Sequence, residues 1–363
     1  MNTLLRKSAF VVSILLATSS FISCNKTDPK PENEPVLLVE HTVIPSEKMV
    51  ATFTRKPVVF IAGIDKGDET FYADARLFFQ EKEFEIINQQ YSLEEIISWL
   101  NTNVSQVPFG EIHIVSKSNP FKGMDLETVI NGQKVTAETL RKSITQGNLP
   151  ALEEVVNPNS KIVFHASGLS ENKELMKTLK DAFCNITIPK IVASPYHTVF
   201  GGEFSKHYLA KPYYVFYPTA NSPGKTDLSK EISRKYSEEK EIDWFDALNN
   251  KEERYVGEAY TIQFNIPLKW EFDYHNSDDE IPTFTMQEEV MDWIEQQEEL
   301  KLELSKYNVP IEKFRWNWSL KNSKLIIKGT TTVLCVLKPL IKPYGELQHI
   351  EPDTDNKRLY AMK

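Results

Sequence analysis

Cysteine is nearly absent from this chain, and what is missing with it excludes several chemistries. Three cysteines occur in 363 residues. No Cys-x-x-Cys pair is present, so neither a dithiol redox motif nor a zinc site is signalled. An excess of positive charge is missing too. The net charge is −9, which argues against nucleic acid as a partner. There is no internal repeat, and no apolar run reaches the about 20 residues needed to span a bilayer. The phosphate-loop pattern is incomplete. Ser222-Pro223-Gly224-Lys225-Thr226 has its tail, but Thr219 stands where the first glycine must wrap phosphate. The stretch reads as a glycine turn, with Thr226 or Asp227 capping a helix. Asp273 to Glu280 is rich in oxygen ligands but lacks the sixth-position glycine of a calcium loop, and reads as a solvated loop. No cofactor or metal is implied.

What is present begins with a three-part N-terminus. Arg6 and Lys7 are followed by apolar residues from Ala9 to Ala17, then by Thr18 to Cys24. That order is the layout of a secretory signal. Phe21-Ile22-Ser23-Cys24 resembles the lipobox of bacterial lipoproteins, with Phe21 where leucine is usual. The resemblance implies a signal peptide over 1–23, cleavage before Cys24 and a lipid on that cysteine. Asn25, where such proteins carry Asp for inner-membrane retention, implies the outer membrane of the cell envelope. Two or three acyl chains anchor firmly, where one chain binds only marginally. Residues 24–50 read as a flexible tether, opened by a stretch with Pro29, Pro31 and Pro35 and no large apolar side chain before Val36.

From Lys56 onward strands and helices alternate. Pro57 to Gly63 is a short apolar run closed by glycine, which marks a buried strand. Asp68 to Lys82 has helical spacing. Ser92-Leu93-Glu94-Glu95 is a capping box opening a further helix. Strands are expected at Phe84–Ile87, Ile112–Val115, Lys161–Ala166 and Lys190–Ala193, with a turn at Asn131-Gly132 and helices from Thr136 and Asn172. This rhythm predicts an α/β fold, a mostly parallel sheet with helices on both faces, over 51–225. An α+β C-terminal region over 226–342 follows. It holds a long strand at Ala259–Phe272, one long helix at Met286–Tyr307, and two strands around Lys321-Asn322-Ser323. Phe314, Trp316 and Trp318 share one strand face and read as core under that helix, or as a binding platform. Residues 343–363 are expected to be loosely held. Cys184 and Cys335 read equally as a disulfide or as two buried thiols.

Ligands of open α/β sheets bind outside the carboxyl ends of the strands. Ile112-His113-Ile114-Val115-Ser116-Lys117-Ser118, with Gly123 to Leu126 and Thr136 to Leu140, resembles the caspase-like proteins, in particular their gingipain- and CHAT-type branches. In that family the strand ends in His-Gly, the His being the base, and the next strand ends in a turn carrying the cysteine nucleophile. Here Lys117 and Ser118 take the His-Gly places. The matching strand, Val163 to Gly168, carries Ser167 at the cysteine place.

Three functional readings follow. In the first, the domain keeps the fold without catalysis and binds a protein or peptide partner at the envelope. In the second, it is a Ser/Lys hydrolase with Ser167 as nucleophile and Lys117 as base. In the third, a site is built from His113 or His165, both within strands.

Overall fold

The computed structural model describes residues 55–217, 223–275, 280–307 and 309–363. The signal, Cys24 and the tether lie outside the described residues, as do Thr219, Ser222 and four residues of the Asp273–Glu280 loop.

The chain enters β1 (Val58–Ile61), then α1 (Phe71–Glu81), β2 (Glu85–Asn88), α2 (Leu93–Thr102) and β3 (Phe109–Val115). Two short strands, β4 (Ser118–Asn119) and β5 (Gly123–Met124), precede α3 (Ala137–Thr145). β6 (Val156–His165), α4 (Lys173–Ala182) and β7 (Lys190–Ala193) complete the alternation. β2, β1, β3, β6 and β7 are neighbours in that order and all run parallel. The face toward α2–α4 is apolar, whereas the other carries Glu111, His113, Lys161 and His165 among Val59, Val115 and Val163. The capping boxes at Ser92/Glu95 and Thr136/Thr139 both form. Asn131 takes a positive φ of 57° in its turn.

One face of the sheet packs on α2, α3 and α4 through Phe60, Ile112, Ile114, Ile162 and Phe164. The other face departs from the expected helical cover. α1 covers part of it with Tyr72, Ala75 and Phe79. Strand material and the C-terminal segment cover the rest, through Leu209, Leu359 and Tyr360 against Val163 and Val192.

The second sheet is antiparallel. It holds β8 (His197–Phe200), β9 (His207–Tyr217), β10 (Tyr260–Asp273), β11 (Arg315–Lys321) and β12 (Lys324–Pro339). The sheets therefore change between Ala193 and His197, not at 225, and residues 52–363 form one contact unit. α5 (Lys225–Lys235) and α6 (Trp244–Ala247) lie between β9 and β10. Gly224, not Thr226 or Asp227, occupies the α5 N-cap, and no side chain caps there. The expected single helix at 286–307 is two, α7 (Gln287–Gln296) and α8 (Glu298–Tyr307), broken at extended Gln297. The cause is spacing. Val290 and Ile294 share a face, but Leu300 lies six residues past Ile294, about 120° off that face in a continuous helix. The break lets Val290, Ile294, Leu300 and Leu304 join one core. Trp316 is buried there against Trp270, so it serves the core and not a platform. Gly329 lies opposite Trp316, and a Cβ there would fall 2.5 Å from its ring.

The C-terminal segment is not loose. Ile341 bridges His349, Leu359 and Tyr360 are buried, and β13 (Ala361–Met362) pairs antiparallel with β7. Cys184 and Cys335 are free thiols, the second buried in β12.

Candidate functional site

The carboxyl ends of β3 and β6 stand side by side, because Val115 registers with His165. Ser116 N–H donates to the His165 carbonyl at 3.2 Å, and Ser118 Oγ donates to the Ser167 carbonyl at 2.8 Å. The two residues singled out for catalysis thus sit on adjacent strand ends, but their side chains have different partners. Lys117 Nζ lies 2.5 Å from Glu69 and 3.5 Å from Asp65, over the ring of Tyr72. Asp65 in turn accepts the N–H groups of Tyr72 and Ala73 at the start of α1. Lys117 therefore ties the end of β3 to the loop leading into α1. Ser167 Oγ accepts the Thr198 N–H at 3.1 Å, which ties the end of β6 to β8. A cavity of about 450 Å³ adjoins these ends, lined by Ser118, Ser167, Glu171 and Lys173 among others.

A nucleophilic serine needs a base within hydrogen-bond reach, and that base must be free to take a proton. Two carboxylates hold the Lys117 ammonium instead. Tyr72, whose hydroxyl accepts the Lys117 N–H, has its phenol pushed up to about 12, chiefly by burial.

The histidines form a second constellation, on the α1 face of the first sheet. His113 and His165 alternate with Ile112, Ile114 and Phe164, so they face away from the α2–α4 core. Their rings stack, with His113 Nδ1 2.8 Å from His165 Nε2. His207, at the start of β9, packs on His165 and stacks on Phe200. Phe79 edges onto both His113 and His165. Glu111 Oε1 lies 3.4 Å from His113 Nε2. Burial pushes the Glu111 carboxyl up, but its interaction with His113, then with Lys161, outweighs that and leaves it lowered. Burial, then His113 and His207, hold His165 well below the ordinary histidine range. Burial, then His113 and Lys82, bring His207 down to about 3.

Either ring can donate in the contact between His113 Nδ1 and His165 Nε2, the role of each nitrogen following from the tautomer. His113 Nε2, His165 Nδ1 and His207 Nε2 have no hydrogen-bond partner among the described residues.

These side chains border a cavity of about 790 Å³. Its further walls are Phe78, Phe84, the turn at Ser205–Lys206 and residues 348–354. His349 lines it as well, and donates through Nε2 to Glu253 Oε1 at 2.9 Å, both side chains being buried. Glu253 also accepts the Gly257 N–H, and Tyr208 stacks on His349 at 4.2 Å. No group of three or more His, Cys, Asp or Glu among the described residues is placed to hold a metal ion.

The structure thus joins His113 and His165, which the sequence offered singly, and adds His207, His349 and Glu253, which it did not. Comparison with protein-family models, with curated proteins and with solved structures finds no match.

Proposed function

We propose that this chain is a lipid-anchored protein of the bacterial cell envelope, with a caspase-like first sheet, that works by binding and not by hydrolysis. The caspase-like reading is supported by the parallel order of the strands and by the meeting of the β3 and β6 ends. The anchor is supported by the pattern Phe21-Ile22-Ser23-Cys24. One observation carries the choice of binding over catalysis: Lys117 is paired with Asp65 and Glu69 while Ser167 Oγ takes a backbone N–H. Both side chains of the rival Ser/Lys pair are spent on holding the strand ends. The cavity beside the histidines gives binding a place, its volume falling in the range of small-molecule sites.

A serine-directed fluorophosphonate tests the choice. Peptide mapping of the folded protein is expected to find no adduct on Ser167 between pH 6 and 9. An adduct that forms in the wild type and is lost in Lys117→Met would establish the hydrolase instead.

A further inference from the structure

Apolar side chains are exposed together at the amino ends of the first sheet. Ile186 is 82% exposed, and Ile188 stands beside it just before β7. Val104 and Val107, in the loop before β3, are exposed as well. Val104, Leu152, Asn185 and Ile186 border one shallow cavity, and Asn185 Nδ2 donates to the Leu152 carbonyl. The two loops are therefore one surface. This is also where the chain arrives from its N-terminal part. Arg55, the first described residue, donates to the Asn103 carbonyl at 2.8 Å and to Ser105 Oγ at 3.3 Å, with its guanidinium over the Phe109 ring.

We infer that this end of the molecule, the 104–107 and 184–188 loops, docks on the bilayer that holds the lipid anchor. The inference rests on the proposed lipidation of Cys24. Thirty residues, Asn25 to Thr54, separate Cys24 from Arg55. They reach about 100 Å at most. The chain joins the first sheet at this surface, and the linker is long enough to let it meet the bilayer. Tethering turns docking into an intramolecular event at an effective concentration in the millimolar range. A contact too weak to hold a free protein then suffices, which matches four apolar side chains instead of a broad patch.

The charges name the kind of lipid. Glu153 and Glu154 are exposed beside the patch, with Arg55, Lys56 and Lys190 on the same end, and the chain is acidic throughout. The three basic and two acidic groups leave this end with only about one net positive charge, a weak attraction for an anionic bilayer. Insertion is driven by the isoleucines and valines into a zwitterionic headgroup layer.

Hydrogen exchange on the full lipidated chain in nanodiscs of zwitterionic phospholipid tests this. Exchange at 103–108 and 184–189 is expected to be slower by about tenfold or more than in the Cys24→Ser protein in buffer. The turn at Asn322–Ser323 serves as an unchanged control. Ile186→Ser with Ile188→Ser, at exposed positions that leave folding intact, is expected to abolish the protection. Equal exchange in a chain whose Cys24 is shown by mass to carry lipid overturns docking and leaves the anchor standing. A Cys24 without lipid overturns both.

Discussion

Glu253 shows how much one buried side chain can decide. It is buried with His349 and bonded to it at 2.9 Å, which pins the C-terminal segment against the second sheet. Removing one member of a buried pair leaves the other without its partner. Glu253→Ala is expected to cost about 2 to 4 kcal/mol, read as a lower denaturant midpoint with His349→Phe partly restoring it. Lys117→Met is expected to cost less than about 1 kcal/mol, since Glu69 is largely exposed and such pairs contribute little. None of the Glu253 role is legible in the sequence. Lys251-Glu252-Glu253-Arg254 reads as a solvated charge run, and only the return of residues 341–349 brings His349 to it. Ser167 and Lys117 are the opposite case. Their places at neighbouring strand ends follow from strand order, but their side-chain partners come from segments 31 to 52 residues away.

At the scale of elements, the histidines set a pH limit on the packing of β3 and β6 against β9. His165 and His207 are neutral in the folded protein and protonate near pH 6.5 once unfolded. The unfolded chain therefore binds more protons below pH 6.5, and stability falls as pH drops from there toward 3. Within that window His207 removes up to about 1.4 kcal/mol per pH unit, and His165 acts in the same direction. His165→Phe with His207→Phe is expected to flatten the decline between pH 6 and 4, measured by urea unfolding at each pH. A wild-type midpoint constant over that range contradicts the cluster. The elements themselves were largely legible, because period and caps are local: Ser92/Glu95 and the strand at 112–115 fell where the pattern put them. The break at Gln297 was not. It depends on which face the second sheet demands of Leu300 and Leu304.

For the whole molecule, two sheets share one contact unit and the chain's end returns to the first of them through β13. Length and rhythm predicted the parallel sheet. They could not show that β8, β9 and the C-terminal segment would cover the face where helices were expected, since that cover is made by residues far apart in sequence. Nor could they show the histidine cavity that results. As proposed, this molecule is a tethered binder, and intact mass tests that most directly. The protein is recovered from envelope membranes and treated with the fluorophosphonate. The expected mass is that of a chain beginning at Cys24, carrying diacylglyceryl and no phosphonate. A chain cut elsewhere without lipid, or a stoichiometric adduct mapping to Ser167, contradicts it.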